Sequence, residues 1–320
     1  MGNEKIRIAV LDDYQNVAKD CADWSLLSGR ADVDFYSDHI ACESDLLARL
    51  RPYDVICAMR ERTPFNQAIL SKLDRLGLLV TTAMRNAAID MEAARSLGVT
   101  VCGTDAIHSG TPELIWAHML ALSRQIVAEA NAVKEGRWQE SLGVDLHGKT
   151  LGIIGLGRVG SRVARIGAAF GMRVLAWSPN LTRARAREGM AEYRDKEALL
   201  ASSDFIVLSL QLSDSTRGII GARDFSSMKR NAYFINTSRA GLVDEDALVE
   251  ALETRKIAGA GVDVFETEPL PGNHPLRACP NVLLTPHIGY VTRNTYQLFY
   301  QHTVENILAW LSGKPVRIIN

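Results

Sequence analysis

From residue 6 onward the chain alternates short, almost continuously apolar runs with longer stretches in which apolar residues recur every three or four positions. The apolar runs are Ile6–Leu11, Val55–Met59, Leu78–Thr82 and Val99–Cys102, then Thr150–Ile154, Arg173–Trp177, Phe205–Leu210, Ala232–Asn236, Gly259–Val264 and Val282–Thr285. Runs of this length, rich in Val and Ile and without polar alternation, predict strands buried on both faces. The periodic stretches between them predict the helices that cover those faces, which is the βαβ order of parallel sheets. The expected fold class is α/β, with doubly wound parallel sheets.

Between residues 102 and 149 the strand pattern pauses. Thr111-Pro112-Glu113 predicts a helix start, Thr111 as N-cap and Pro112 at the first helical position, followed by a long apolar helix through Leu114, Ile115, Ala117, Met119, Leu120, Ala121, Leu122 and Ile126. Apolar residues cover most of its circumference, so it is expected to be buried between domains or between subunits. Glu135–Lys149 then reads as a loop leading into a second sheet. A last amphipathic helix, with Tyr296, Phe299, Val304, Ile307, Leu308 and Leu311 on one face, is expected to pack on the first domain.

A length of 320 residues suits two domains with a core each. Lys and Arg total 36 against 37 Asp and Glu, which gives no reason to expect nucleic acid or an anionic membrane as partner. The five cysteines, Cys21, Cys42, Cys57, Cys102 and Cys279, are scattered and lack metal-site spacing, so free thiols and no metal are expected. The N-terminus passes from a charged stretch straight into a strand, and no apolar run approaches the ~20 residues of a membrane span. A soluble, cytoplasmic protein is expected.

Candidate chemistry begins after the strand Thr150–Ile154, with Gly155-Leu156-Gly157-Arg158-Val159-Gly160, a helical stretch Ser161–Phe170 and a further strand. This is G-x-G-x-x-G inside a complete βαβ unit. The first glycine permits a tight turn, the second lets a pyrophosphate approach the backbone, and the third allows close helix–strand packing, while the helix N-terminus offers free N–H groups. A kinase loop has the same glycines, but no H-R-D or D-F-G segment accompanies it. The acidic residue that grips the ribose of NAD about 20 positions on is missing. Ser178 stands there, followed by Asn180, Arg183 and Arg185. Ser178, Asn180 and an arginine would accept a 2′-phosphate; alternatively the arginines are ordinary solvated helix residues. The expected cofactor is NADP or NAD, with a weak preference for NADP.

Three further segments place polar residues at strand C-termini: Asn236-Thr237-Ser238-Arg239, Gly261-Val262-Asp263-Val264-Phe265-Glu266-Thr267-Glu268-Pro269, and Thr285-Pro286-His287-Ile288-Gly289. With these motifs in this order over essentially the whole chain, the sequence resembles the D-isomer-specific 2-hydroxyacid dehydrogenase family. The resemblance implies two Rossmann-like or flavodoxin-like domains with a cleft between them: a discontinuous substrate-binding domain of residues 1–103 plus 293–320, and a dinucleotide-binding domain of 104–292. It implies Arg239 as substrate anchor, Glu268 as the carboxylate that tunes the histidine, and His287 as proton donor and acceptor between a 2-keto acid and its D-2-hydroxy acid. It places Thr216, Thr237, Asp263 and Gly289 along the cofactor, and implies a homodimer. Chemically, reduction of a keto group leaves an alkoxide that a positioned imidazolium can protonate, and a guanidinium binds a carboxylate through a planar fork. The remaining histidines, His118 among them, have no partner motif and read as structural or surface residues.

The chain departs from the family where a substrate-domain loop normally carries glycines. Here Thr82-Ala83-Met84-Arg85-Asn86 fills both positions, with Ala83 and Arg85. Arg60, Met84 and Arg85 are the candidate substrate residues. The extra arginines fit either a substrate with a second anionic group or salt bridges to Glu61 or Asp90. Rival functions are a dinucleotide-sensing, corepressor-like binding protein and a phosphite- or formate-type oxidation on the same fold.

Overall fold

The computed structural model describes residues 5–320. It divides into two compact units, one running to Ile107 and resuming over Val291–Asn320, the other spanning His108–Tyr290.

The first unit holds strands β1 (Ile6–Val10), β2 (Ala31–Phe35), β3 (Val55–Ala58), β4 (Leu78–Thr81) and β5 (Thr100–Cys102). They form one parallel sheet in the order β2-β1-β3-β4-β5, so the winding direction reverses between β1 and β3. The central strands are sealed on both faces, with Ile8, Val55, Ile56, Leu78 and Leu79 fully buried. Strand β2 escapes the apolar-run criterion because it lies at the sheet edge. Its sequence, ADVDF, exposes Asp32 and Asp34 to ion pairs with Lys5 and Arg7. The helix Arg293–Leu311 packs on this unit with Tyr296, Phe299, Val304 and Ile307 buried. Its inner face is turned from the expected stripe: Tyr300 and Thr303 are buried, whereas Leu308 and Leu311 are only half-buried. Trp310 at the helix end requires a glycine beside it, since a Cβ at Gly77 would sit 2.7 Å from its ring.

The second unit holds β6 (Thr150–Ile154), β7 (Arg173–Trp177), β8 (Glu192–Tyr193), β9 (Phe205–Leu208), β10 (Tyr233–Asn236), β11 (Gly259–Val262) and β12 (Val282–Leu284). All pair in parallel, in the order β8-β7-β6-β9-β10-β11-β12. Successive residues feed opposite faces: Ile153, Val174, Phe205, Val207 and Ile235 enter one core, and Ile154, Leu175, Ile206, Leu208 and Phe234 the other. Two-sided burial is why these strands read as unbroken apolar runs. The unexpected β8 is again an edge strand, and its Glu192 pairs with Arg173 and Arg194.

The helix expected from Thr111 is corrected in two respects. It spans Gly110–Ser123, preceded by Ser109, so Pro112 is its third residue. Thr111 does not cap it, because its hydroxyl donates instead to the Gly289 carbonyl at 3.1 Å. The helix also stops short of Ile126: Gln125 adopts φ 49°, and a separate helix, Ile126–Lys134, follows. Ile126, Val127 and Val133 on that helix, and Trp138 and Leu142 beyond it, are exposed.

Among the described residues no helix is long and apolar enough to cross a membrane, and no cluster of His, Cys, Asp or Glu could hold a metal ion. All five cysteines are free.

Candidate active site

In the second unit the strand order reverses between β6 and β9, the position where open α/β sheets leave a crevice beyond their C-terminal ends. The loop Gly155–Gly160 occupies it. Gly155 has φ +103°, and a Cβ there would lie 2.6 Å from the Ser209 carbonyl oxygen. Gly160 packs the helix against the turn so closely that a Cβ would lie 2.1 Å from the Gly155 oxygen. At Gly157, by contrast, an added Cβ meets nothing within 4 Å, and this residue precedes the helix Arg158–Ala169, whose N-terminus no side chain caps. Open backbone at an uncapped N-terminus fits a diphosphate, with the N–H groups of Arg158 and Val159 at its first turn. A second feature fits a ligand here: Thr237, directly after β10, buries a hydroxyl that has no hydrogen-bond partner.

The position expected to face the ribose carries no acidic residue of its own. Ser178 follows β7 half-buried, and Asn180, Arg183 and Arg185 are exposed. Neither Arg183 nor Arg185 forms an ion pair among the described residues, and Arg183 lines an open pocket of about 490 Å³ with Arg187, Glu192, Tyr193 and Arg194, in which Glu192 is paired with Arg194. Thr216 turns inward: its hydroxyl donates to the Gln211 carbonyl at 2.7 Å and so closes the turn after β9.

The ends of β10, β11 and β12 carry the residues expected to do the acid–base chemistry. His287 follows β12 in a left-handed conformation, φ 54°, and its Nδ1 lies 2.7 Å from Glu268 Oε2. Glu268 Oε1 accepts the Phe265 N–H at 2.9 Å. Burial alone would raise the Glu268 carboxyl, but the hydrogen bond and charge of His287, the Phe265 N–H and the charge of Arg239 outweigh it and hold the carboxyl below its ordinary value. Arg239 follows β10, with its guanidinium donating to the Ser238 carbonyl at 2.7 Å and its own carbonyl accepting from Asn236. Glu266 is exposed, on the turn that leads to Glu268.

Asp263 is fully buried beneath this group, where Oδ1 accepts from Thr285 Oγ1 (2.6 Å) and the Ile288 N–H (2.8 Å), and Oδ2 from the Gly289 N–H (2.9 Å). Asp263 and Gly289, expected along the cofactor, thus spend these groups on the turn that carries His287. Burial raises the Asp263 carboxyl against the pull of these donors.

Three adjacent strands of the first unit carry a left-handed, non-glycine residue just past their ends: Asp12 (φ 57°) after β1, Arg60 (φ 53°) after β3 and Ala83 (φ 66°) after β4. Ala83 therefore adopts a conformation that favours glycine, a strained state that persists only where its surroundings enforce it. Here Thr104 Oγ1 accepts the Ala83 N–H at 2.8 Å, Thr82 Oγ1 accepts the Arg60 N–H at 2.9 Å, and Asn86 donates to the Arg60 carbonyl at 2.6 Å. The Arg60 side chain donates to the Thr82 carbonyl and pairs with Glu61 at 3.5 Å. Asp90 is not a partner for Arg85, since it caps the helix Met91–Ser96 through the Ala93 N–H. Met84 and Arg85 are exposed.

His118 was not recognisable from sequence as part of this arrangement. It is buried on the helix Gly110–Ser123 with Nε2 2.9 Å from Thr285 Oγ1. Helical position 118 carries no motif, and only the fold brings it to the end of β12.

Comparison with known proteins places this geometry among relatives. The profile of the family described as D-isomer specific 2-hydroxyacid dehydrogenase, NAD binding domain, matches residues 116–289. A glyoxylate reductase from Aeropyrum pernix is 42% identical over 263 residues, covering 79% of this chain and 78% of that protein. A glyoxylate/hydroxypyruvate reductase B from Escherichia fergusonii is 38% identical over 78% of this chain and 79% of its own length. A crystal structure of a phosphoglycerate oxidoreductase from Vibrio cholerae superposes with a TM-score of 0.92 at 38% identity, covering 96% of this chain and 99% of that one.

Proposed function

The chain belongs to the D-isomer specific 2-hydroxyacid dehydrogenase family, and we propose that it reduces a small 2-keto acid to the D-2-hydroxy acid, with His287 as the acid and NADPH preferred over NADH. The observation that carries this reading is the His287–Glu268 contact of 2.7 Å, with Arg239 near enough for its charge to lower the Glu268 carboxyl. When bound, the nicotinamide supplies the hydride that reaches the keto carbon. His287 holds a proton on Nε2 and releases it to the keto oxygen as the carbon is reduced, while Glu268 holds the Nδ1–H and fixes the ring. Arg239 binds the substrate carboxylate and polarises the keto oxygen with the same planar cation. In the oxidative direction His287 takes the hydroxyl proton back.

Gly155, Leu156, Gly157, Arg158, Val159 and Gly160 are the pyrophosphate loop of this reading, and Thr237, directly after β10, adds a buried hydroxyl without a partner. Ser178, Asn180, Arg183 and Arg185 support NADPH, because none of them repels a 2′-phosphate and the arginines are unpaired among the described residues. Arg60, Met84 and Arg85 are the first unit's candidates for substrate contact. The relatives named glyoxylate reductase support a small substrate. A homodimer belongs to the same reading: Ile126, Val127, Val133, Trp138 and Leu142 leave apolar surface that a second copy would cover. A monomer mass in light scattering at micromolar concentration would remove that element.

A dinucleotide sensor is not favoured, since it would leave the His287–Glu268 pair and Arg239 without a task. The test is a panel of 2-keto acids, glyoxylate and hydroxypyruvate included, assayed with NADPH and with NADH. Turnover of at least one supports the reading; tight dinucleotide binding without turnover of any would transfer it to the sensor.

A further inference from the structure

His118 stands outside every motif used so far, yet it closes a buried hydrogen-bond chain that ends at the turn carrying His287. The ring is 1% exposed and rests on β11, where a Cβ at Gly261 would lie 2.6 Å from Nδ1. The imidazole therefore fits only because position 261 has no side chain. Its Nε2 lies 2.9 Å from Thr285 Oγ1, which lies 2.6 Å from Asp263 Oδ1. Asp263 in turn accepts the N–H groups of Ile288 and Gly289, and the Thr285 carbonyl accepts that of His287 at 3.0 Å. Both flanks of His287 are thus tied to Thr285 and Asp263.

Counting protons orients the chain. A hydroxyl has one proton to give, and a buried carboxylate is an acceptor only. Thr285 therefore donates to Asp263 and must itself accept from His118. On this count Nε2 carries the ring proton toward Thr285, and Nδ1 rests against Gly261 of β11. Burial pushes the ring down to about 4, so it is neutral at physiological pH and introduces no charge behind the site.

We propose that His118 is a positioning residue for the reaction. As a neutral Nε2–H donor it commits the Thr285 hydroxyl to Asp263, and Asp263 then holds the Ile288 and Gly289 amides that keep His287 in its left-handed conformation. The proposal rests on the acid–base role assigned to His287. It explains a histidine on an otherwise apolar helix face, where leucine would bury more cheaply, and a glycine in the middle of β11.

The test uses the full-length protein with His118→Leu, His118→Gln and Thr285→Val, reading steady-state kinetics on the best 2-keto acid and amide hydrogen exchange across residues 285–289. His118→Leu removes the donor, and kcat should fall about 10- to 100-fold while the cofactor KM stays within about threefold, as expected of a misplaced reacting group. His118→Gln, whose amide can donate to Thr285, should restore most of the loss. Exchange at Ile288 and Gly289 should accelerate in His118→Leu and Thr285→Val but not in His118→Gln, with the β10 amides unchanged in all three. The His118→Leu/Thr285→Val double variant should be no slower than the worse single variant. Unchanged kcat and exchange in His118→Leu would overturn the proposal, and so would equal losses in the Leu and Gln variants, which would mark the ring as packing alone. If the wild type reduces no 2-keto acid, the assigned reaction fails, while the exchange comparison still decides whether His118 holds the turn.

Discussion

His287 Nδ1 and Glu268 Oε2 meet at 2.7 Å although they leave two different strands, β12 and β11, and the carboxylate is held below its ordinary range by that contact and by the charge of Arg239. A carboxyl whose folded value is depressed stabilises the fold above its unfolded value, about 4.3. That stabilisation disappears as pH falls through the lower folded value. Glu268→Gln should therefore unfold at a lower temperature than wild type by a constant margin between about pH 5 and 6.5, with the margin narrowing below about pH 4. It should also lower kcat by about 10- to 100-fold. A margin that widens on acidification would contradict the assignment.

Removing the groups proposed to act on the substrate should separate catalysis from cofactor binding. His287→Ala and Arg239→Ala should each reduce turnover by about 10²–10⁴, because proton donation and carbonyl polarisation act in the transition state. Dinucleotide affinity, read by fluorescence titration, should change by less than about threefold. Near wild-type turnover in either variant would withdraw that residue's role.

The two glycines at positions 157 and 160 should fail in different ways. Gly157→Ala places a methyl group in open space at φ −83°, so stability should be unchanged while dinucleotide affinity falls by about tenfold or more. Gly160→Ala drives a Cβ to 2.1 Å from the Gly155 oxygen and should destabilise the fold by about 2 kcal/mol or more. Denaturant unfolding beside a cofactor titration distinguishes the two.

NADPH should be the better cofactor. Each charge-assisted hydrogen bond to a 2′-phosphate is worth about 1.5–3 kcal/mol before desolvation, and a net of about 1.4 already gives a tenfold preference. The ratio of kcat/KM values for the two cofactors with one substrate measures it. Ser178→Asp should reverse the ratio, mainly through the NADPH KM, and a wild-type ratio that favours NADH would refute the assignment of Ser178, Asn180 and Arg183.

The buried neutral His118 carries its own pH signature. Its folded value of about 4 lies below the unfolded value of about 6.5, so the unfolded chain takes up the proton first as pH falls. Wild type should lose on the order of 3 kcal/mol between pH 6.5 and 4 that His118→Gln does not lose. Parallel stability curves for the two proteins would show that the ring is not held neutral.

Much of this architecture was legible along the chain because it rests on local rules. Strands sealed on both faces must be apolar at almost every position away from their ends, which is why β1, β3, β4, β6, β7, β9 and β10 stand out despite Arg7 and Arg173 near the starts of β1 and β7. The edge strands β2 and β8 were hidden by the same rule, since one open side admits Asp32, Asp34 and Glu192. The end of the helix at Ser123 was hidden too, because Gln125 enters the left-handed region without a glycine to announce it.

The sequence by itself determined the alternating order of elements, the glycine turn with its open backbone at Gly157, and which polar residues stand at the ends of β10, β11 and β12. Those features depend on residue type and short spacing, which a chain carries wherever it goes. Only the tertiary structure decided that Asp263 would turn toward the Ile288 and Gly289 amides, that Thr111 would reach Gly289 instead of capping its helix, and that His118 would arrive behind Thr285. Each of these is a hydrogen bond between groups distant in sequence, forced by burial: a polar atom taken out of water must find a partner, and only packing determines which partner is within reach.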